Sequence, residues 1–363
     1  MLRIGIVGSG FISCAYLRAA QDFPDIRIVA CSDVNFAAAA EKAHEFQIQA
    51  QSVEDLLTNS EIDLVLNLTV PQSHGTVSLR AIDAGKHVYS EKPLALSVKE
   101  AKELLSAAED KAKRVGVAPD TFLGGGQQTA RALIDDGKIG TPIGGTAFIL
   151  LPGHEHWHPN PDFFYQPGGG PVFDMGPYYL TALVNLLGPI KRVISIGRRT
   201  FDDREIQSGP RKGERVSVPI LTHFNALLEF LEGPVISFHA SFDVQNHTHS
   251  PIEIYGTEGT LQVPDPNTFG GPVRLLTRGK SPADIPLTHG FGDRNYRILG
   301  VAEMEKAIKQ RKPHRASGEL GYHVLEVMEA IVEGGGHGSP VEISSRCERP
   351  AALPSQPRLG ILE

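Results

Sequence analysis

The chain has 363 residues, 41% of them hydrophobic, and a formal net charge of −7; this length is enough for two domains with separate cores. The acidic balance and the lack of a basic stretch argue against nucleic acid as a partner. The three cysteines are scattered, and no apolar run approaches the roughly 20 residues of a membrane helix, so we expect a cytoplasmic protein without a membrane partner.

The predicted elements begin with a strand, a glycine turn and a helix. The apolar strand Arg3–Val7 runs directly into a turn that contains Gly8 and Gly10. Gly8 permits the tight turn, and Gly10 lets backbone N–H groups approach phosphates at the positive end of the following helix. Ser13 stands where such turns usually have a third glycine, which weakens the pattern. The turn predicts a pyrophosphate site of a dinucleotide, formed by Gly8, Gly10, Phe11 and Ile12.

A second apolar run, from Ile26 to Cys31, contains the predicted strand Arg27–Cys31 and ends at Asp33, which lies 23 residues after Gly10. A carboxylate at this point accepts hydrogen bonds from the adenosine ribose hydroxyls. The same charge repels a 2′-phosphate, which favours NAD over NADP as the cofactor. The alternative is that Asp33 only caps the next helix.

The first 120 residues alternate short apolar runs with helical patterns, which is typical of a parallel sheet with crossover helices. Further strands are predicted at Leu64–Asn67, His87–Ser90 and Arg114–Ala118. Helices are predicted at Phe36–Phe46, Ser52–Thr58, Ser73–Ala84 and Val98–Ala112, the last of them opened by a capping box of Ser97 and Glu100. Residues 1–120 are therefore predicted to form an α/β dinucleotide-binding domain.

The pattern changes after about residue 120, where longer β-type segments replace the alternation. The helices Gln127–Asp136 and Met175–Leu187 precede strands at Lys191–Arg199, Leu221–Leu231, Val235–Phe242, Ile252–Tyr255 and Val273–Leu276. Turn signals between these strands favour an antiparallel meander. Two late helices follow, Tyr296–Gln310 and Gly318–Glu333, and the last could pack back on the first domain. We predict an α+β domain at 121–340 and a C-terminal surface extension at 341–363.

Lys92 follows directly after the predicted strand His87–Ser90 and Glu91. The carboxyl ends of strands in open α/β sheets face the crevice where ligands bind. An ammonium group there can hydrogen-bond a reacting oxygen and stabilise the negative charge of a developing alkoxide. The alternative is a lysine in a surface turn.

Four segments of the chain resemble one family. Val88-Tyr89-Ser90-Glu91-Lys92-Pro93, a strand that ends in Glu-Lys-Pro, resembles the glucose–fructose oxidoreductase / inositol dehydrogenase (Gfo/Idh/MocA) family. Supporting resemblances occur at 69–74, 168–176 and 254–259. Together they cover about residues 1–340.

The resemblance implies a Rossmann domain followed by an α+β domain built on a large, mostly antiparallel open sheet. In this family the sheet often mediates oligomerisation, so a homodimer or homotetramer is expected. Members mostly oxidise or reduce one carbon of a sugar, inositol or related polyol with a nicotinamide cofactor. The resemblance also implies that the cofactor contacts Thr69, Pro71, His74, Glu91 and Lys92.

At Tyr178 the chain departs from the family pattern. The family commonly has Asp followed four residues later by a His that acts as general acid/base, whereas here Asp174 is followed by Tyr178. On a helix this spacing keeps both side chains on one face. We predict that Lys92 polarises the reacting oxygen, that Tyr178 exchanges its proton, and that Asp174 positions Lys92 or the substrate. The alternatives are an N-cap for Asp174 and a packed ring for Tyr178.

The segment His154-Glu155-His156-Trp157-His158 holds the chain's only tryptophan. Trp157 is predicted to stack on a sugar and His158 to hydrogen-bond its hydroxyls, and His158 is also a reserve candidate for the general base. The alternatives are a solvated loop and a zinc site on the alternate histidines; we predict no metal, because hydride transfer to a polyol does not need one. Asp120 and Gln127 could also reach substrate hydroxyls.

Two other functions are compatible with the sequence. Some relatives keep NAD bound and cleave glycosides through transient oxidation of the sugar. A dinucleotide-binding sensor without catalysis is the other alternative: the missing His at position 178 favours it, and Lys92 with Asp174 argues against it. Accumulation of NADH with a substrate would distinguish a dehydrogenase from both.

Overall fold

A computed structural model of the chain describes residues 1–355 and residue 362. The N-terminal part is a parallel sheet of six strands flanked by helices. Its strands are β1 (Leu2–Val7), β2 (Ile26–Ser32), β3 (Gln49–Ala50), β4 (Leu64–Asn67), β5 (His87–Ser90) and β6 (Val115–Val117). Its helices are α1 (Ser13–Ala20), α2 (Phe36–Phe46), α3 (Val53–Thr58), α4 (His74–Asp83) and α5 (Val98–Asp110).

The strand order of this sheet creates a crevice for a ligand. The order is β3-β2-β1-β4-β5-β6, so the chain adds strands first on one side of β1 and then on the other. The loops at the carboxyl ends of β1 and β4 diverge at this switch point. Helices cover both faces, which explains why β4 is buried at every position. The predicted strands and helices of this part match the observed ones to within two residues, except that β3 was not predicted.

The second sheet has nine strands in the order β16-β15-β14-β13-β7-β12-β11-β8-β17. These strands are β7 (Pro142–Leu150), β8 (Ile190–Arg198), β11 (His223–Phe230), β12 (Val235–Ser241), β13 (Ile252–Gly256), β14 (Gly259–Val263), β15 (Val273–Thr277), β16 (Ala283–Ile285) and β17 (Val341–Glu342), while β9 (Asp203–Glu205) and β10 (Arg215–Ser217) form a separate pair. The helices of this part are α6 (Gly125–Asp135), α7 (Gly170–Leu187), α8 (Leu299–Gln310) and α9 (Gly318–Gly334).

Burial alternates along the central strands of the large sheet. In β11, Phe224, Leu228 and Phe230 are buried, whereas Leu227 between them is exposed. The buried face packs against α6, α7 and α9. The opposite face carries exposed apolar side chains, including Ile196 and Val235. One face of the sheet therefore belongs to the core, and the other remains open.

Two predictions for this part were wrong. The sheet is mixed and not a simple antiparallel meander, because β7 lies between β12 and β13 and pairs with β12 in parallel. The helix predicted to start at Met175 begins at Gly170, with Gly169 as its N-cap. Asp174 therefore lies inside the helix and does not cap it. Pro177 is also inside the helix.

The end of the chain returns to both halves of the molecule. Helix α9 packs against α5 and β6, and Val117 N donates to Ala316 O at 3.0 Å. The predicted surface extension is partly anchored, since Leu353 is buried and its N–H donates to Gln128 Oε1 at 2.8 Å. Residues 356–361 and 363 of that extension lie outside the described residues.

Within the described part of the chain, no helix has the length and apolar character to span a bilayer.

Candidate active site

The turn after β1 has the shape expected of a pyrophosphate cradle. Gly8 has a φ of +104°, and a Cβ at this position would lie 2.6 Å from the backbone of Leu68. Only glycine fits such a turn. A Cβ on Gly10 would meet no atom within 4 Å, so the backbone beside it is open to a ligand. Both observations fit a dinucleotide, whose phosphates need close approach to backbone amides.

Asp33 lies beside this turn, just beyond the end of β2. Its Oδ2 accepts a hydrogen bond from Ser9 N at 2.7 Å, and its Oδ1 accepts one from Asn35 N at 2.8 Å. The N-cap of α2 is Asn35, whose side chain accepts from Ala37 N, so the alternative that Asp33 caps this helix is wrong. Each carboxylate oxygen has a second lone pair for a ribose hydroxyl.

The loops after β4 and β5 are tied to each other and to α1. The ring nitrogens of His74 lie 2.6 Å from Pro93 O and 2.9 Å from Thr69 O, and burial lowers the pKa of this imidazole. Glu91 accepts from the Tyr16 hydroxyl at 2.7 Å and from the backbone N–H of Lys92 at 3.0 Å. His74 and Glu91 therefore position the loop that carries Lys92.

The other residues predicted to contact the cofactor lie directly after β1 and in the loop after β4. Phe11 is almost fully exposed at the start of the turn, and Ile12 is half-buried behind it. Pro71 begins a short 3-10 turn after β4. The Thr69 hydroxyl donates to Asn67 Oδ1 at 2.7 Å, and this hydrogen bond orders the loop that follows β4.

Lys92 contacts Asp174 from the other half of the molecule. Its ammonium donates to Asp174 O at 2.6 Å and to Asp174 Oδ1 at 3.1 Å. Burial alone would raise the pKa of the Asp174 carboxyl, but the charge of Lys92 and the contact with His154 outweigh it and lower this pKa to about 2. Burial alone would lower the pKa of Lys92, but the negative charge of Asp174 outweighs burial and raises this pKa. Both groups are charged at neutral pH.

Tyr178 lies one helical turn after Asp174 on α7 and is buried. The ammonium of Lys92 lies 5.2 Å from the centroid of its ring. Arg297, just before α8, also approaches the phenol, with Nη2 at 3.4 Å from the hydroxyl. The same Nη2 donates to Asn267 Oδ1 at 2.9 Å, which holds the guanidinium in place. Sequence reasoning missed Arg297, since no motif surrounds it.

His154 contacts the same carboxylate from the loop after β7. Its Nε2 lies 2.9 Å from Asp174 Oδ2, and its Nδ1 lies 3.1 Å from Trp157 Nε1. His154 is 7% exposed, whereas Trp157 is 54% exposed. The loop at 154–158, the Lys92 loop and α7 thus meet at one point. Sequence reasoning placed His154 in the predicted sugar-facing loop and gave the residue itself no role except in the alternative zinc site. Among the described residues no group of three or more His, Cys, Asp or Glu side chains could hold a metal ion.

Three residues predicted to bind the substrate already have hydrogen-bond partners within the protein. Asp120 and Gln127 are at most 1% exposed: Asp120 accepts from the backbone N–H of Gly300 at 2.9 Å, and Gln127 donates to Pro264 O at 3.0 Å. Burial raises the pKa of Asp120 to about 6. His158 accepts from Asn160 N at 3.1 Å, and burial lowers its pKa. The geometry gives Asp120 and Gln127 no support as substrate ligands, while His158 lies next to Trp157.

Two family profiles match the chain. The profile of the GFO/IDH/MocA oxidoreductase family with an NAD-binding Rossmann fold matches residues 2–118. The profile of the GFO/IDH/MocA C-terminal domain matches residues 127–262.

Similar proteins extend over almost the whole chain. Inositol 2-dehydrogenase of Pseudomonas fluorescens is 31% identical over 370 residues, which cover 98% of both chains. A 1,5-anhydro-D-fructose reductase of Ensifer adhaerens is 26% identical over 354 residues, 95% of this chain and 99% of that protein.

Solved structures share the fold. An NAD binding oxidoreductase from Klebsiella pneumoniae superposes with a TM-score of 0.83 at 24% identity, over 95% of this chain and 99% of that one. Levoglucosan dehydrogenase in complex with NADH and levoglucosan superposes with a TM-score of 0.79 at 22% identity, over 95% of this chain and 100% of that one.

Proposed function

The chain belongs to the GFO/IDH/MocA family of NAD-binding oxidoreductases, and from this premise we propose that it transfers a hydride between NAD(H) and a secondary alcohol or ketone carbon of a sugar, inositol or glycoside. The observation that carries the proposal is the ion pair of Lys92 and Asp174, which joins the carboxyl end of β5 to α7. This ion pair places a cation where the ligand crevice of the Rossmann sheet meets the second domain.

The cofactor would be held by the residues around the first turn. Backbone amides near Gly8 and Gly10 would face the pyrophosphate, and Asp33 would accept hydrogen bonds from the ribose hydroxyls, with NAD preferred to NADP. Bound NAD(H) supplies the hydride acceptor or donor. The loop fixed by His74 and Glu91 would hold Lys92 beside the nicotinamide.

Lys92 has a free donor for the reacting oxygen. Its ammonium carries three N–H bonds, and two of them are directed at Asp174 O and Asp174 Oδ1. Within the described residues the third has no acceptor. A hydrogen bond from it to the substrate would stabilise the negative charge that develops on the oxygen. Asp174 fixes the direction of that bond.

Tyr178 is the proposed proton carrier. An arginine only donates hydrogen bonds, so the phenol oxygen accepts from Arg297, and the hydroxyl hydrogen remains for another partner. No acceptor for it occurs in the described part of the chain. Lys92 lies near the ring of Tyr178 and Arg297 lies near its hydroxyl, and their positive charges would stabilise the negative charge that forms as the proton leaves.

The nature of the exposed side chains supports a polyol substrate. Trp157 presents a half-exposed indole beside His158, and such a pair suits the C–H face and the hydroxyls of a pyranose or cyclitol ring. The family relatives named above act on inositol and on an anhydro sugar ketone.

The test is NADH formation with a panel of sugars, inositols and glycosides, with the protein and its Lys92→Met variant. We expect turnover with NAD for at least one polyol and a loss of kcat of about 10²–10³-fold in the variant. The exposed Lys138 provides the control, since Lys138→Met should leave kcat unchanged. Binding of NAD without turnover of any substrate would indicate a sensor, and glycoside cleavage without net NADH would indicate a redox-neutral enzyme.

We also propose a cytoplasmic homo-oligomer, with the open face of the large sheet as the interface. Leu227 and Ile196 are exposed there, and Phe148 stacks between His239 and His249 with centroids 4.9 and 4.1 Å apart. Exposed apolar side chains on one sheet face favour burial against a second copy. Light scattering after gel filtration should give a dimer or tetramer, and Leu227→Lys should shift it toward the monomer.

A further inference from the structure

A row of hydrogen-bonding groups connects the protein surface to Lys92. The indole Nε1 of Trp157 lies 3.1 Å from His154 Nδ1, and His154 Nε2 lies 2.9 Å from Asp174 Oδ2. On the other side of the carboxylate, Lys92 donates to Asp174 Oδ1 at 3.1 Å. Both oxygens of Asp174 are therefore engaged by side chains.

The chemistry of the indole decides which nitrogen of His154 carries the proton. A tryptophan N–H can only donate a hydrogen bond, so His154 Nδ1 must accept it and carries no proton. A neutral imidazole then has its single proton on Nε2, where it donates to Asp174 Oδ2. A proton on Nδ1 would oppose the indole N–H directly.

The imidazole cannot turn away from Asp174 in this arrangement. The backbone N–H of His154 donates to the Tyr165 hydroxyl at 3.1 Å, and its ring packs against Phe164 and Phe242 with centroids 4.1 and 4.7 Å away. The next residue, Glu155, forms a buried ion pair with Arg204 at 2.6 Å. These contacts fix the imidazole ring, so its Nε2–H bond stays directed at Asp174 Oδ2.

We propose that His154 is a positioning residue that holds the Asp174 carboxylate toward Lys92, and that the indole N–H of Trp157 fixes His154 in its Nε2–H form. The imidazole beside the catalytic carboxylate thus comes from the loop between β7 and α7 and not from α7 itself. Trp157 has two separable tasks, because its ring faces solvent while its N–H faces His154. The effect on turnover rests on the proposed function; the proton position on His154 does not.

Kinetics separate these tasks. Trp157→Phe removes the N–H and keeps an aromatic ring, so we expect kcat to fall about fivefold with KM nearly unchanged. Trp157→Ala removes both, and KM should rise as well. His156, which is exposed in the same loop, is the matched control, and His156→Ala should change neither constant. A Trp157→Phe variant with wild-type kcat would overturn the role of the indole N–H.

The link through Asp174 is tested by a conservative variant and a double-mutant cycle. His154→Gln keeps an N–H donor near the position of Nε2, whereas His154→Ala loses it and should lower kcat about 10- to 100-fold. In an Asp174→Asn background, His154→Ala should have little further effect, because the carboxylate that it holds is gone. Melting temperature and NAD affinity report whether a variant is folded. Additive losses in the cycle, or no rescue by a folded His154→Gln protein, would overturn the proposal.

Nitrogen-15 NMR of histidine-labelled protein tests the proton position without any substrate. The His154 signals, assigned by their loss in His154→Gln, should show an unprotonated Nδ1 and a protonated Nε2, and Trp157→Phe should alter this pattern. A protonated Nδ1 in the wild-type protein would contradict the proposal. If no polyol is turned over but the predicted NMR pattern is present, the proposed function fails while the arrangement of Trp157 and His154 stands.

Discussion

The two walls of the cleft are built in different ways. The part of the predicted cofactor wall with Gly8, Gly10 and Asp33 comes from one continuous stretch of the chain, in which Ser9 N donates to Asp33 only 24 positions away. The catalytic wall joins Lys92 to Asp174 over 82 positions and Tyr178 to Arg297 over 119. The first wall depends on local backbone geometry, and the second depends on the packing of separate elements.

The catalytic wall also depends on the buried Asp120 behind it. Asp120 accepts from Ile298 N at 3.0 Å and from Gly300 N at 2.9 Å, directly after Arg297. Ile298 has a φ of +112°, which costs on the order of 1–3 kcal/mol for a branched residue. The two hydrogen bonds that Asp120 accepts hold the chain in this conformation and so place the guanidinium of Arg297 beside Tyr178.

The largest effect is expected from a substitution in the catalytic wall, and it should change kcat without changing NAD affinity. Tyr178→Phe removes only the hydroxyl and should lower kcat about 10²-fold, because the proton carrier is lost. NAD affinity, measured by fluorescence titration, should be unchanged if the two walls are independent. His158→Ala is the comparison: an inactive His158→Ala protein beside a fully active Tyr178→Phe protein would assign the proton transfer to His158.

The next effect is expected on the cofactor wall. A Cβ on Gly10 enters open space, so Gly10→Ala should weaken NAD binding at least about tenfold by blocking approach to the backbone, with the melting temperature unchanged. Gly8→Ala is the matched variant, and it should also lower the melting temperature, because Gly8 has a positive φ and faces the backbone of Leu68. Equal NAD affinity of Gly10→Ala and wild type would place the pyrophosphate elsewhere.

A smaller effect is expected at the ribose end of the same wall. Asp33→Ser removes the negative charge that would face a 2′-phosphate, so the preference for NADH over NADPH should fall about fivefold. The ratio of the two dissociation constants measures it, and Asp136→Ser, an exposed acid outside the cleft, is the control. A wild-type protein that binds NADPH as tightly as NADH would contradict the role of Asp33.

The smallest effect concerns the acid that supports the catalytic wall. The folded-state pKa of Asp120 is about 6 because of burial, above the value of about 3.9 in an unfolded chain. As pH rises, the unfolded chain loses this proton first, so the free energy of unfolding should fall by about 1 kcal/mol between roughly pH 5 and pH 7. Denaturant titrations at several pH values should show that the free energy of unfolding of Asp120→Asn lacks this decrease between roughly pH 5 and pH 7. An equal decrease in the variant would mean that other groups cause it.

The sequence predicted the local parts of this molecule well. The helix Phe36–Phe46 was predicted residue for residue, and Ser97 caps α5 through the N–H of Glu100 at 3.2 Å, as its capping box indicates. The α7 start was misplaced, because the glycines before Asp174 masked a helix that starts with Gly170 and Pro171. The strand β14 was missed because it is short: only Leu261 and Val263 are buried in it, and they alternate with the polar Thr260 and Gln262.

The Rossmann half, the glycine turn and the presence of Lys92 at a strand end could be predicted from the amino-acid sequence, because these features depend on neighbours in the chain. The resemblance to the family indicated Asp174 and Tyr178, and their helical spacing predicted that both lie on one face. The contacts around them became visible only in the folded molecule: His154 meets Asp174, Arg297 meets Tyr178, and the buried Asp120 accepts hydrogen bonds at the start of α8. These contacts depend on how distant elements pack, and single side chains without local periodicity leave no pattern in the sequence from which such packing could be predicted.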